Sequence, residues 1–466
     1  MTITETLRRE RSPGGKLGVV MLIAALLSVP LFSIYLLNWD RQNQSNTASA
    51  SIVEGWGGPQ IIAGPVLVVP YQAQTTETVE EGGKQVTKTS TVWKELVLSP
   101  ETSTLDTKIA PERRKRSIYE AVVYETTLTG RAKFVMPADL ERIGVPVASL
   151  VFARAEIRFG LSDARGLFGT PPAVRIGGKA LKLEPGHGLG ATSGSGFFAW
   201  HDASALPAAA MVADFDYRFR GSASLTLAPR AGDTTWTVTS PWPSPSFQGG
   251  FLPTTRRVTA AGFTATYRVG NLALGQSLVN ADDPSVQPDG SISGKVGVAT
   301  YGASDTIKGT ASISLVQPVD VYSQVNRATK YGFLFIGFTF LALLMFDIIG
   351  GVKVAAVEYL LVGGGLVLFF ALLLAFAEVI GFTFAYVLAS AGIIGLITAY
   401  SAAVLKSWKR AGYIGGLLTT LYAVLYILLS LEAYSLLIGS LMLFVALAGV
   451  MYVTRKLDWS APRTAA

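Results

Sequence analysis

The chain has 466 residues, of which 50% are hydrophobic and 15% charged, and its formal net charge is +7. It contains no cysteine, which excludes disulfides, thiolate–zinc sites, iron–sulfur clusters and cysteine nucleophiles. The positive charge is spread along the chain, whereas a nucleic-acid-binding protein concentrates it on one domain. We therefore expect no nucleic-acid partner.

Two hydrophobic regions dominate the chain. The first, residues 17–37, follows four basic residues and is longer than the core of roughly 7–15 residues typical of a cleaved signal peptide. We interpret it as an uncleaved transmembrane anchor. The second, residues 331–454, has only eight charged residues among 124. Since about 20 apolar residues cross a bilayer as a helix, this region predicts five further spans: Tyr331–Ile349, Leu360–Ile380, Thr383–Leu405, Tyr413–Leu431 and Tyr434–Thr454.

The basic residues of the short connections predict an orientation. Lysine and arginine in such loops mark the cytoplasmic side of a membrane protein. Here they lie before residue 17, at Lys353, at Lys406–Arg410 and at Arg455–Lys456. Six alternating crossings would place all four groups on one side. The sequence thus predicts residues 1–16 and 455–466 in the cytoplasm and residues 38–330 in the periplasm of a bacterial inner-membrane protein.

Residues 38–330 have the composition of a soluble domain, with 28 Lys/Arg and 25 Asp/Glu. Segments rich in Val, Ile, Thr, Tyr and Phe, separated by Gly/Pro stretches, are typical of β-strands. We predict strands at Ile61–Val69, Trp93–Leu98, Ile118–Val135, Leu150–Phe159, Ala223–Leu227, Thr234–Val238 and Phe263–Val269. We predict loops at Gly186–Gly196 and Thr239–Gly250, and a helical turn at Ala138–Ile143. No segment has the apolar repeat of a long helix.

The predicted fold class is an α-helical membrane protein with six transmembrane helices and a large β-rich, sandwich-like periplasmic domain, α+β overall. The domains are residues 1–16, the anchor 17–37, the β-rich domain 38–330, the helical domain 331–454 and the tail 455–466. A division of the β-rich domain into two subdomains near residue 190 stays open.

The short motifs do not predict an enzyme. His187 and His201 lack a carboxylate cluster at metal-ligand spacing, and we interpret them as structural loop histidines. Gly186–Gly190 is only loosely similar to a phosphate-binding loop, because Phe197–Trp200 does not begin a helix. The densest charge run, Arg113–Arg116, is interpreted as a solvated strand entrance. We expect no catalytic residue, no metal and no cofactor.

Four acidic residues lie within or beside the predicted spans. A carboxylate at membrane depth is costly, and it is by default a functional candidate. Glu378 is the strongest of the four, but it lies three residues before Gly381, near the outer end of its span. Asp347, Glu358 and Glu432 also lie near span ends, so we interpret the four as boundary residues and not as a proton relay. The glycines at 363–365, 392, 395, 439 and 449 are expected to allow close helix packing.

A set of short segments carries a family resemblance. In the hydrophobic region they include Arg327–Tyr331, Tyr359–Gly363, Leu436–Ser440 and Thr454–Trp459. In the insert they include Gly64–Pro70, Asp163–Gly166, Leu183–Gly186, Trp242–Phe247 and Phe251–Pro253. Together they make the chain similar, over nearly its whole length, to the CreD family of bacterial inner-membrane proteins.

The resemblance implies a role in cell envelope integrity and implies no reaction. Together with the topology and the lack of catalytic motifs, it leads us to expect a non-catalytic protein whose partners are membrane lipids and unidentified envelope proteins. Two alternatives remain open at this point: a transporter or lipid-handling protein whose external domain guides a substrate, and a membrane sensor that acts through a partner. The low-ranking candidates for functional residues are Glu378, Glu432, Asp163, Arg165 and Trp242.

Overall fold

A computed structural model describes residues 13–81, 84–137, 140, 144–281, 309–315, 321–348, 354–430 and 435–455. The chain divides into two compact units. We call Met1–Ser45 with Val319–Ala466 the helical unit, and Asn46–Pro318 the β unit. The predicted helical turn at Ala138–Ile143 lies almost wholly outside the described residues, as do Lys353 and Glu432.

The described part of the chain contains eight helices. They are α1 (Pro13–Glu54), α2 (Asn271–Leu274), α3 (Val321–Lys330), α4 (Gly332–Ile348), α5 (Ala356–Ile380), α6 (Phe382–Val404), α7 (Trp408–Ser430) and α8 (Ser435–Thr454). Five helical segments of the described residues are long and apolar enough to cross a membrane: Gly14–Glu54, Val321–Ile348, Ala356–Ile380, Phe382–Val404 and Trp408–Leu429. The helix α8 coincides with the sixth predicted span, but its apolar part, Gly439–Gly449, is shorter. A sixth crossing therefore stays a prediction.

Two helices extend into sequence where we predicted no long helix. The helix α1 continues past residue 37 to Glu54, because a helix propagates much more easily than it nucleates. The helix α3 buries Tyr322, Val325, Ala328 and Thr329. Their three- and four-residue spacing forms one apolar stripe, and this short stripe escaped the sequence reading.

The helix α1 packs closely against α4 and α5. Its buried residues, Val20, Ile23, Leu27 and Leu31, recur at helical spacing. A Cβ atom added to Gly363 would lie 2.1 Å from Leu27 Cδ1, so the missing side chain makes room for α1. The packing role that we expected of Gly363 is thus confirmed. Among the described residues, a Cβ added at positions 364, 392, 395 and 449 meets no atom within 4 Å, so close packing at these glycines stays a prediction.

The β unit contains two sheets. Its strands are β1 (Gln60–Glu81), β2 (Lys84–Leu98), β3 (Thr102–Arg116), β4 (Tyr119–Phe134), β5 (Ala155–Leu161), β6 (Ala173–Ile176), β7 (Lys179–Ala180), β8 (Glu184–Pro185), β9 (Gly196–His201), β10 (Met211–Ser222), β11 (Ser224–Ala228), β12 (Asp233–Ser240), β13 (Pro245–Gly249), β14 (Thr255–Thr259), β15 (Gly262–Gly270), β16 (Val279–Asn280) and β17 (Ala311–Leu315). The first sheet has the order β13-β17-β11-β1-β5-β9-β8, with β2 on β1 and β16 on β2. The second has the order β14-β15-β12-β3-β4-β10-β6-β7. Most neighbours are antiparallel, but β1–β11 and β3–β12 are parallel.

Each of the seven predicted strands overlaps a strand of these sheets, although Leu150 forms only an isolated bridge to Tyr71 and Phe152–Arg154 forms a 3-10 turn before β5 begins. The other ten strands, β3, β6–β10, β13, β14, β16 and β17, were not predicted. In β3 four alternating residues are buried, but only Leu105 and Ile109 of them are hydrophobic. The run Arg113–Arg116 ends β3 and does not begin a strand. Arg113, Lys115 and Arg116 are exposed to solvent, as expected, whereas the Arg114 guanidinium lies 3.6 Å from the centre of the Trp56 ring. The predicted loop Thr239–Gly250 is wrong at Pro245–Gly249, which forms β13 at the sheet edge, where proline is tolerated.

Both sheets contribute side chains to one hydrophobic core. The indole of Trp236 is fully buried there, and its Nε1 donates to Thr107 Oγ1 at 2.9 Å. The Tyr124 hydroxyl of β4 donates to the Ser224 carbonyl of β11 at 2.7 Å and so links the sheets. Burial raises the pKa of this phenol. Because segments before and after residue 190 contribute to both sheets, a division there would cut through this core.

Candidate functional site

Glu378 lies in the last turn of α5 and contacts two other helices. Its Oε1 accepts a hydrogen bond from the Tyr322 hydroxyl at 3.1 Å. The Arg41 Nε lies 3.9 Å from the same oxygen. The Glu378 side chain is 15% exposed, so most of it is covered by the neighbouring helices.

Asn38 extends this polar cluster along α1. It is buried, and its Nδ2 donates to the Tyr322 backbone carbonyl at 3.0 Å. The cluster, made of Asn38, Arg41, Tyr322 and Glu378, therefore joins α1, α3 and α5 through directional contacts. This geometry is suited to holding three helix ends together. The interpretation of Glu378 as a boundary residue stays a prediction.

A second ion pair connects the beginning of α1 to α4. Lys16 Nζ lies 2.7 Å from Asp347 Oδ1, and the Asp347 side chain is only 4% exposed. Sequence reasoning noted the position of Asp347 but missed its partner. A single basic residue at the start of one span and a single acid near the end of another were the only signal. The pair tethers α1 because a buried carboxylate without a partner is costly.

Asp163 and Arg165 form a tight turn between β5 and β6. Asp163 Oδ1 accepts from the Arg165 backbone N–H at 3.1 Å and from Arg165 Nε at 2.9 Å. The hydrogen bonds from Arg165 hold the pKa of the Asp163 carboxyl below its usual range. The Arg165 side chain is otherwise exposed to solvent.

Gln60 of β1 fastens this turn to the sheets. Its Nε2 donates to the Asp163 carbonyl at 3.2 Å and to the Arg220 carbonyl at 2.8 Å. Its Oε1 accepts from the Asp163 backbone N–H at 3.1 Å. A Cβ atom on Gly166 would lie 2.7 Å from the Arg220 carbonyl oxygen, so the turn needs glycine there. The contacts of Asp163 are those of a structural turn.

Trp242 lies in the core, where a ligand would not reach it. The residue is 6% exposed, and its Nε1 donates to the Ser244 carbonyl at 3.2 Å. Its backbone N–H donates to Ser240 Oγ at 3.3 Å. Trp242 therefore anchors the connection between β12 and β13. Trp242 and Asp163 belong to the β unit and Glu378 to the helical unit, and Glu432 lies outside the described residues.

Sequence reasoning missed a chain of charged side chains on the first sheet. His187 Nδ1 lies 3.0 Å from Glu156 Oε2, and its ring stacks on Phe198 with 4.4 Å between centroids. Arg158 Nε donates to Glu156 Oε2 at 2.8 Å. Arg158 also donates to both carboxylate oxygens of Glu95, at 2.7 and 2.8 Å. The alternation of Arg154, Glu156 and Arg158 was the only local signal, because Glu95 and His187 arrive from distant segments.

No metal site accompanies these carboxylates. Among the residues that the structure describes, no group of three or more His, Cys, Asp or Glu could hold a metal ion.

Comparison with known proteins assigns the family. The family model described as "Inner membrane protein CreD" matches residues 12–460. The chain belongs to the CreD family. It is 32% identical over 443 residues to "Inner membrane protein CreD" of Escherichia coli (strain K12), a match that covers 94% of this chain and 91% of that protein. The family resemblance predicted from the sequence is therefore confirmed.

Membership in the CreD family agrees with the architecture. The five long apolar helical segments of the described chain are what a multi-pass inner-membrane protein requires. The coarser prediction, an inner-membrane protein with apolar helices and a large β-rich part, is confirmed. The CreD name states a location and no reaction.

Proposed function

We propose that this chain is a non-catalytic inner-membrane protein that contributes to the integrity of the cell envelope. The observation that carries the proposal is that the candidate residues within the described part of the chain make structural contacts. The side chains of Asp163, Trp242 and Glu378 all make contacts that maintain turns, core or helix packing. Family membership supplies the inner-membrane location.

We further propose that six crossings put both termini in the cytoplasm and the β unit in the periplasm. The basic residues support this orientation. Lys16 precedes the apolar part of α1, Lys406 and Lys409 flank the short connection between α6 and α7, and Arg455 follows α8. An even number of crossings between Lys16 and Arg455 keeps both on the cytoplasmic side, as lysine and arginine in short loops prefer.

Deletion in the source bacterium tests the proposed role. We expect the deletion strain to become more sensitive to detergents, envelope-active antibiotics and protein toxins, and the full chain supplied in trans to restore resistance. Unchanged sensitivity of the deletion strain would contradict the proposal.

Complementation with Asp163→Asn tests the non-catalytic part. This variant keeps an oxygen that can accept from Arg165 but loses the charge. We expect restored resistance at wild-type protein levels. If the variant accumulated normally and failed to restore resistance, the carboxylate would have a chemical role.

A further inference from the structure

The first sheet has a face directed away from the core that it shares with the second sheet. Val68 of β1 pairs with Val97 of β2 and with Glu156 of β5. Glu156 in turn pairs with Trp200 of β9. Directly paired residues of neighbouring strands share a face, so these four side chains form one row. Their neighbours Leu67 and Leu96 point the other way, into the core.

Two tryptophans of this face are exposed to solvent. Trp93 is 55% exposed and Trp200 is 48% exposed, whereas Trp236 is fully buried. Two adjoining clefts of about 370 and 240 Å³ lie beside the two exposed tryptophans; Trp93 lines both and Trp200 lines the smaller, and we call the two clefts together the Trp93–Trp200 groove. The clefts share the lining residues Val68, Trp93, Lys94, Glu95 and Arg158.

The floor of the groove is polar, and Arg158 in it is paired with two carboxylates. Arg158, which is 14% exposed, binds both oxygens of Glu95 and also donates to Glu156. The Arg154 guanidinium lies 5.5 Å from the centre of the Trp93 ring. Three basic and two acidic side chains line the clefts, so the groove has little net charge. Fixed guanidinium and carboxylate groups offer hydrogen-bond donors and acceptors side by side.

We propose that the Trp93–Trp200 groove binds an uncharged oligosaccharide built of pyranose rings. The flat, partly apolar indoles suit the C–H faces of a sugar ring and combine an apolar body with a polar group. Sugar hydroxyls both donate and accept hydrogen bonds, and Arg158, Glu95 and Glu156 supply partners of both kinds. Clefts that bind small molecules typically combine apolar walls with a few such oriented polar groups.

The paired charges distinguish this ligand from two others. A phosphate or a nucleic acid is bound by several arginines and lysines that face it without a competing carboxylate. Of the three basic side chains here, Arg158 is held by two glutamates and Arg154 lies near the Trp93 ring, which leaves Lys94 alone. A lipid tail requires an apolar lining, which Glu95, Glu156 and Arg158 interrupt.

The test is a binding titration with the full chain in phosphatidylcholine nanodiscs. Glycoside detergents are avoided, because their headgroups are themselves sugars. The probes are cellohexaose, maltohexaose and the hexamer of N-acetylglucosamine, followed by tryptophan fluorescence and calorimetry. We expect saturable binding of at least one probe. Trp93→Ala and Trp200→Ala should each weaken it about tenfold, as the loss of one aromatic stacking contact does.

Matched variants make the result specific. Trp93→Phe and Trp200→Phe keep an aromatic ring and should retain most of the affinity, even if an alanine variant fails to fold. Trp408→Ala removes an exposed tryptophan of the helical unit, and Leu272→Ala removes an exposed apolar side chain of the β unit. Both controls should bind as the unchanged chain does.

Three results would overturn the proposal. The first is the absence of saturable binding for all three sugars. The second is sugar binding that is unaffected by replacing either groove tryptophan, and the third is binding of inorganic phosphate that exceeds sugar binding. This titration does not depend on envelope integrity, so its failure is distinguishable from the failure of the proposed function.

Discussion

The Oε1 atom of Glu378 accepts a hydrogen bond from the Tyr322 hydroxyl and lies 3.9 Å from Arg41 Nε. We expect Glu378→Gln to be nearly silent. The amide oxygen can still accept from Tyr322, and an ion pair at 3.9 Å to an arginine that is 40% exposed contributes no more than about 1 kcal/mol. Thermal unfolding in a mild detergent and restoration of resistance in the deletion strain measure the effect.

Glu378→Leu is the companion to this experiment. It removes the acceptor of the Tyr322 hydroxyl and should lower the free energy of unfolding by about 1 kcal/mol. A Gln variant that folds normally and yet fails to restore resistance would show that the charge of Glu378 is needed, contrary to its interpretation as a boundary residue.

The Lys16–Asp347 pair should stabilise the chain more than an ion pair at the surface does. Lys16→Ala leaves a carboxylate that is 4% exposed without its partner, which should cost about 1–3 kcal/mol of the free energy of unfolding. The double variant Lys16→Ala/Asp347→Ala should recover part of this loss. The readout is the unfolding midpoint in detergent.

Arg131→Ala provides the control for this pair. Arg131 lies 2.6 Å from Asp214, but their side chains are 69% and 47% exposed, so its removal should change the free energy of unfolding much less than Lys16→Ala does. Equal losses for Lys16→Ala and Arg131→Ala would mean that burial does not strengthen the Lys16 pair.

At the scale of the helix, close packing of α1 on α5 depends on Gly363. We expect Gly363→Val to destabilise the helical unit by about 1–3 kcal/mol, because the new side chain would overlap Leu27 and the Phe340 ring. Leu27→Ala in the same chain should recover part of the loss by making room. Unfolding midpoints of the three variants measure the coupling.

Gly364→Val is the matched control, since an added Cβ at this position meets nothing within 4 Å. Its effect on the free energy of unfolding should be small, because the new side chain overlaps no neighbour. Since Gly364 lies in the same turn of α5 and the substitution is the same, the variant also controls for helix propensity. Destabilisation of equal size at Gly363 and Gly364 would trace the effect to propensity and not to packing.

Helices and strands were predicted well where the apolar residues of the segment itself mark it. The strand at Ile61–Val69 and the spans over α5 and α6 have predominantly apolar sequences. The strand β3 was missed because Ser103 and Thr107 occupy two of its inward positions. These small polar side chains are buried in the folded sheet, where Thr107 accepts the Trp236 N–H. The neighbouring strand β12 supplies a hydrogen-bond partner for Thr107, and the sequence of β3 alone does not reveal that partner.

For the whole molecule, the orientation in the membrane is the decisive prediction. A reporter that is active only outside the cytoplasm should be active when fused at Asp289 and silent when fused at Lys409. The reason is that the basic connections favour the cytoplasmic side, and six crossings make them consistent with one another. An active fusion at Lys409 would contradict the proposed topology.

The sequence by itself determined membrane residence, the positions of most spans, the β-rich texture of the insert and the family. These follow from hydropathy, charge and short segments, which are properties of neighbouring residues. Only the tertiary structure decided which side chains meet. Tyr322 reaches Glu378, Lys16 reaches Asp347, and Arg158 reaches Glu95 across many intervening residues. Strand register and helix packing create such contacts, because they depend on how distant segments bury their apolar surfaces together.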